Sequence, residues 1–418
     1  MPSFMDAFGR AFGRANAGGD TLKASKSGAL ITLSSVGRPV WSPRDYSAFA
    51  REGFLQNTVV YRCVRMISEA AASVPLGLTS GNVQLDEHPL LSLIGKPNEL
   101  QCSPDFFEAW YGFLLIAGNS YIEAVSVGGD VRELHVLRPD RMKVVPGGDG
   151  WPQAFEYSVN GRSTCFDQTG YEGGAGGAVR PILHQSYFHP LNDHYGASPL
   201  EAAGVAIDLH NAASGWNKAL LDNSARPSGA LVYNSKDGHL TGDQYERLKL
   251  QLEDNYQGAG NAGRPLLLEG GLDWKSMGFS PKDMDFIEAK YVAAREIALA
   301  LGVPPMLLGI PGDNTYSNYQ EANRNFWRQT VLPLVGKTCK ALTGWLGPQF
   351  DEELELAPIL DRIDGLSGER EALWKRVGDA DFLTINEKRN AVGLAPISEG
   401  DRLAGPGDLD EVGRVSRD

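Results

Sequence analysis

"VPPMLLGIPGDNTYSNYQEANRNFW", residues 303–327, sets a proline-broken apolar loop directly before a run of amides and aromatics. Pro304, Pro305 and Pro311 fix φ and withhold N–H donors, so the loop is stiff and ends whatever helix precedes it. Upstream, SPKDMDFIEAKYVAAREIALALG (280–302) reads as a long helix, opened by Ser280 and Pro281 and stopped by Gly302. Met284, Ile287, Tyr291, Ala294, Ala298 and Leu301 recur at helical spacing and predict its packed side, leaving Asp285, Glu288 and Arg295 to water or a neighbour. At 1.5 Å per residue this helix spans roughly 35 Å. Downstream, YQEANRNFWRQTVLPLVGKTCKALTGWLG (319–347) reads as another long helix, kinked by Pro333.

A further long helix is expected at 198–225, begun by Ser198 and Pro199 and rich in small residues that permit close helix contact. Between the helices at 198–225 and 280–302 lies a small α/β insertion: a short strand, a turn at Lys236–Gly238, a polar helix, and a strand-turn-strand in RPLLLEGGLDWKSMG (264–278). Towards the N-terminus, Asn57 is placed to cap a helix whose buried face is Val60, Val64, Ile67 and Ala71. SPDFFEAWYGFLLIAG (103–118) predicts a deeply buried helix, with Ser103 as cap, Pro104 at its first position and Gly118 as stop. From Asn119 to His189 the pattern alternates, as for a small mixed sheet, and GGAGGA (173–178) suits a flexible hairpin tip. Two short helices follow Asp361, the second opened by a Thr384/Glu387 capping box. The stretch Met1–Gly28 reads as a mobile or interaction arm, and the polar residues after Pro396 as a frayed tail.

With 418 residues, two or three subdomains are expected. A formal charge of −13 argues against a surface that grips phosphate tightly. The four cysteines form no C-x-x-C pair, so neither zinc nor a disulfide framework is indicated, and no apolar run reaches the roughly 20 residues a bilayer crossing requires.

Signals for chemistry are weak. GKT (336–338) lacks the P-loop glycine, since Val331 stands in its place, and it falls inside a helical pattern. His184, His189 and His194 with Asp193 occupy a strand and turn without the spacing of a metal site, so partly buried sheet-edge histidines outweigh a metal-dependent hydrolase. No G-x-S-x-G elbow occurs and no paired carboxylates stand on an apolar face. For Asn323, Arg324, Asn325, Trp327 and Arg328 the residues leave two readings open: an exposed amphipathic face, or a surface making few, weak contacts with nucleic acid. A single-stranded nucleic-acid binder is a further alternative, which the acidic balance disfavours.

The order of long helix, α/β insertion, long helix, "GVPPMLLG", the Asn318–Thr330 run and "LTINEKR", with "YGASPLEAA" before them, resembles the portal proteins of long-tailed bacteriophages and of phage-like gene transfer agents. The likeness runs from about Asn57 to Pro396. It implies an α+β portal fold: an N-terminal arm (1–40), an α/β wing (41–197), stem helices (198–228 and 279–302), a clip (229–278), a tunnel loop (303–318), a tunnel helix returning to the wing (319–364), crown-like helices (365–396) and a flexible tail (397–418). It implies a ring, generally of twelve subunits, at one capsid vertex, with no enzymatic activity and no cofactor or metal. The implied partners are further copies of the chain, the major capsid protein, the terminase large subunit, a head-tail adaptor and double-stranded DNA in the channel, with no membrane. On this resemblance Val303, Pro304, Pro305, Met306, Leu307, Asp313, Asn314, Asn318 and Asn323 line the tunnel. Ala203, Ile207, Trp216, Met284, Ile287, Tyr291 and Ala294 meet neighbouring subunits, and Tyr233, Lys236, Tyr245, Arg264 and Trp274 face the adaptor or terminase. A shortened crown and an N-terminal arm without counterpart are the departures from the family pattern.

Overall fold

Helix α1 (Thr58–Ala72) starts where the Asn57 side chain accepts hydrogen bonds from the N–H groups of Val59 and Val60, satisfying two donors that the first turn leaves open. Its face Val60, Val64, Ile67 and Ala71 is buried, as the periodicity predicts. In the computed structural model the described residues are 45–81, 83–169, 179–222, 229–233, 243, 246–247, 272–276, 286–311, 316–350, 353–394 and 396–403. They belong to the unit Ser42–Asp418. The N-terminal arm, GGAGGA, the turn at 236–238, the Ser280/Pro281 opening and the last residues of the tail lie outside the described residues.

Before α1 the chain enters through a short helix (Tyr46–Ala48) and a π-helical stretch (Phe49–Leu55). After it, strands β1 (Leu76–Ser80) and β2 (Val83–Leu85) and helix α2 (Pro89–Gly95) lead to α3 (Ser103–Ala117). The cap of α3 is one residue earlier than expected: Cys102 occupies the N-cap position and Ser103 is already helical, because Pro104 fits the first turn without needing an N–H. Phe106, Phe107, Trp110, Tyr111, Leu114 and Leu115 bury nearly all round, the signature of a central helix. Gly118, at φ +72°, ends it.

Strands β3 (Asn119–Val127), β4 (Asp130–Leu137), β5 (Met142–Pro146), β6 (Pro152–Val159), β7 (Arg162–Asp167) and β8 (Ile182–Ser186) form two sheets, β4-β3-β8 and β5-β6-β7. Every pairing is antiparallel, so the mixed sheet expected from the alternation is corrected. Short glycine turns such as Asn160–Gly161, both at positive φ, reverse the chain where a parallel crossover would need a helix.

A turn at Pro199–Ala202, capped by Ser198, precedes α4 (Gly204–Asp222). Strands β9 (Gly229–Tyr233) and β10 (Leu272–Ser276) pair antiparallel, and α5 (Phe286–Ala300) packs against α4 on its way back. Helix α6 (Tyr316–Asn325) passes through a π-helical turn (Phe326–Val331) into α7 (Leu332–Leu346). The break sits on the N-terminal side of Pro333, whose missing N–H deprives the preceding turn of a donor. Strand β11 (Leu354–Pro358) then joins β1, giving the sheet β11-β1-β2, and α8 (Ser367–Gly378) and α9 (Ile385–Ala391) complete the described chain. Thr384 and Glu387 form the expected capping box. One hydrophobic core runs from Phe49 to Leu366, joining α1, α3, the start of α4, the end of α5 and α7.

Candidate functional site

The loop that follows α5 is tied to itself and to the core. Gly302, at φ +70°, lets the chain leave the helix, and Thr330 Oγ1 donates to the Gly302 carbonyl at 2.6 Å. Val303 N–H reaches back to the Ala298 carbonyl at 2.9 Å, and a 3-10 turn at Pro305–Leu308 ends at Gly309, also left-handed at φ +71°. Arg295 donates to the Pro311 carbonyl. Pro304, Pro305, Met306 and Leu307 are half-buried, and Leu307 packs on the core. Val303 is only 2% exposed, so its expected place on a tunnel wall is corrected: its apolar side chain is drawn into the core of its own chain. Asp313 and Asn314 lie outside the described residues, Asn318 is exposed and Asn323 half-buried.

The arginines of α6 and the π-helical turn do not present free positive charge. Arg324 donates to Glu321 at 2.5 Å and lies 3.6 Å from Glu369, and Arg328 pairs with Glu369. Trp327 is half-buried against the chain at Gly365. This face can pass a polyanion without gripping it. Glu369 went unnoticed in the sequence because it stands 41 residues from Arg328, with no local pattern to link them.

The expected subunit-contact residues divide into two groups. Ala203, Ile207 and Ala294 are at most 4% exposed and fill the core of their own chain, which corrects their assignment to an interface. Trp216, Ile287 and Tyr291 are exposed, and Met284 lies outside the described residues. The packed side of α5 is made by Ala293, Ala294, Ile297, Ala298 and Leu301, all near the core end of the helix; Ile287 and Tyr291 continue the stripe past the point where the core supplies partners. On α4, Val205, Leu209, Ala212 and Trp216 form an exposed line at spacings of four, three and four residues, beside the buried Ala206, Ile207, His210 and Ala213. Sequence reading missed Val205 and Leu209, although their helical spacing with Trp216 was available. In the β9–β10 pair, Tyr233 stands opposite Leu272 and Trp274 opposite Leu231, while Lys236, Tyr245 and Arg264 lie outside the described residues.

The motifs weighed for chemistry have structural roles. Lys337 donates to the Ser186 carbonyl at 2.6 Å, and Thr338 is buried, 3.4 Å from Trp110 Nε1 and 3.2 Å from Gln185 Oε1, so GKT binds helix α7 to the sheet. His189 Nδ1 accepts from Leu191 N–H in a loop, and His184 belongs to a packed aromatic group. Among the described residues no three His, Cys, Asp or Glu side chains converge as a metal site would require.

His184 stacks on Tyr121 with ring centroids 4.4 Å apart, and its Nε2 lies 3.0 Å from Asn119 Oδ1. Burial first, then repulsion from His194 and Lys337, lowers its pKa from 6.5 to about 4. As pH falls the unfolded chain therefore takes up this proton before the folded one. The contribution is complete above the unfolded value and is lost between about pH 6.5 and 4, amounting to roughly 3 kcal/mol. Urea unfolding at pH 7 and 4.5 is expected to show this loss, and His184→Gln to remove most of it; an equally steep pH dependence in the variant would assign the effect to other groups.

A family model for phage portal protein matches residues 58–393. The chain belongs to the phage portal protein family. It is 54% identical to a solved chain from the neck of an empty GTA particle computed with C6 symmetry, covering 86% of this chain and 96% of that one with a TM-score of 0.69. To a chain from the neck of a native GTA particle computed with C12 symmetry it is 53% identical, covering 87% and 97%, with a TM-score of 0.67. The portal protein of Enterobacteria phage HK97 is 27% identical over 376 residues, 85% of this chain and 82% of that protein. The α+β fold with small antiparallel sheets is the fold of these portal relatives.

Proposed function

We propose that twelve copies of the chain form a ring at one capsid vertex of a phage or gene transfer agent particle, a passive channel through which double-stranded DNA is packaged and ejected. The observation that carries this reading is the 53% identity to a chain in a particle neck of C12 symmetry, over nearly the full length of that chain. The electrostatics agree with it. A chain of net charge −13 whose α6-side arginines are paired with carboxylates offers passing phosphates little to hold. Pro304, Pro305, Met306 and Leu307, with Asp313, Asn314, Asn318 and Asn323, line the narrow part of the channel, and its stiffness comes from the prolines.

Neighbouring copies meet along α4 and α5 through Trp216, Ile287 and Tyr291, together with Val205 and Leu209, and through Met284. The β9–β10 end, with Tyr233, Lys236, Tyr245, Arg264 and Trp274, receives the terminase large subunit during packaging and the head-tail adaptor afterwards, while the wing (41–197) meets the major capsid protein. The segments 198–228 and 279–302 act as stem, 229–278 as clip, 303–318 as tunnel loop, 319–364 as tunnel helix and 365–396 as a short crown. The chain does no chemistry and takes no cofactor; it is built in the bacterial host cytoplasm and resides at the head-tail junction of the virion.

Negative-stain imaging with light scattering tests the ring. End-on rings with a central hole, and a mass near twelve times that of one chain, are expected. A chain that stays monomeric even when coexpressed with capsid and scaffold would sink the proposal.

A further inference from the structure

The helix from Tyr316 to Leu346 changes hydrogen-bond register at Phe326–Val331. Leu332 N–H donates to the Trp327 carbonyl five residues back. In an α-helix it would donate to Arg328, and the Gln329 carbonyl would then look to residue 333, a proline with no N–H. The backbone alone thus leaves the two registers closely matched. Contacts made by the side chains on this turn favour the observed one. Trp327 lies so close to Gly365 that a Cβ there would fall 2.1 Å from its Nε1. Arg328, and Arg324 one turn earlier, pair with Glu369 at the start of α8. Thr330 is bonded to the Gly302 carbonyl, where α5 ends. Phe326 and Val331 are buried in the core.

We propose that this turn is a register switch that couples the C-terminal helical segment to the orientation of α6. In the observed state the 364–369 segment holds the π register. When that segment moves, the clasp at Trp327, Arg324 and Arg328 opens, the extra residue is taken into an α register, and α6 turns about its axis relative to α7. One residue is worth 100°, which moves a side chain on a helix 10–12 Å wide by roughly 8 Å. The polar residues of α6 then present a different face, while α7 stays fixed by Leu334, Val335, Cys339 and Leu342 in the core. The switch is a property of one chain and stands whether or not the ring proposal holds.

Two variants open the clasp by different routes. Gly365→Ala displaces Trp327, and Glu369→Gln removes the carboxylate from both arginines while keeping the size of the side chain. Hydrogen exchange is followed on the full-length chain. Spin labels are placed at Tyr319 and Lys340, both exposed, with Cys102 and Cys165 changed to serine and labelled chain diluted into unlabelled. In both variants, amides of 326–332 are expected to exchange at least tenfold faster, those of 337–346 at the parent rate, and the label separation to shift by several ångströms. Parent-like exchange and separation in both variants would overturn the proposal. So would acceleration that extends through 337–346, which is general loosening, or faster exchange without a distance change, which is fraying.

Discussion

A chain carrying Leu209→Glu and Trp216→Glu is expected to remain a folded monomer under conditions in which the parent chain assembles. Leu209 is 51% exposed and Trp216 40%, and with Val205 they form an exposed line along α4 beside the buried Ala206 and Ala213. Neither side chain belongs to the buried core cluster, so the fold of the isolated chain should be kept. In the assembly the outcome differs. Burying a large apolar side chain at a subunit contact contributes about 1.5–3 kcal/mol, and truncating a central aromatic commonly costs 2 kcal/mol or more. Replacing both by carboxylates removes those gains and adds desolvation of unpaired charge, so each contact weakens by at least about 4 kcal/mol, roughly a thousandfold. In a closed ring every copy carries the defect at a contact. Light scattering should give the single-chain mass, with circular dichroism unchanged. Rings of normal mass from this variant would place the contact elsewhere on the surface.

That stripe shows where sequence reading succeeded and where it stopped. Helical spacing located α1, α3, α4 and α5, and residues suited to a helix end marked three borders: Asn57 the start of α1, Gly118 the end of α3 and Gly302 the end of α5. Periodicity reports which residues share a side of a helix, yet it does not say which side meets the core of its own chain. Ile287 and Tyr291 share a stripe with Ala294, Ala298 and Leu301, but only the last three have core beneath them, because the helix outruns the core. Ala203 and Ile207 were misplaced for the same reason. A disturbance of the helix near Pro333 was legible because proline acts locally; that it would take the form of a π-helical turn was not, since the register is chosen by Gly365 and Glu369, more than thirty residues on. The antiparallel sheets were hidden in the same way, since alternation is common to parallel and antiparallel strands and only pairing tells them apart.

Gly196→Ala is expected to abolish stable folding. Three backbone segments cross at this residue: the end of α3, the end of β8 and the approach to α4. Gly196 N–H donates to Asn119 Oδ1 at 2.8 Å, the Asn119 amide donates to the Gly196 carbonyl at 3.2 Å, and Tyr187 N–H donates to the Gly118 carbonyl at 2.9 Å. A Cβ at 196 would stand 2.2 Å from the Gly118 oxygen and 2.6 Å from the Tyr187 nitrogen. Both are backbone atoms held in these bonds, so no side chain can swing aside, and relief requires breaking the hydrogen bonds that join α3, β8 and the segment leading to α4. Overpacking where side chains can yield costs about 1–3 kcal/mol; here the expected loss is above about 4 kcal/mol, comparable with much of a domain's total stability. The variant should appear in inclusion bodies or melt well below the parent. Gly336→Ala is the matching control. Gly336 lies inside α7, and a Cβ there meets nothing within 4 Å, so alanine should raise stability by about 0.5–1 kcal/mol through lower chain entropy in the unfolded state. Denaturant midpoints moving in opposite directions for the two changes would separate close backbone approach from helix propensity as the reason each glycine stands where it does.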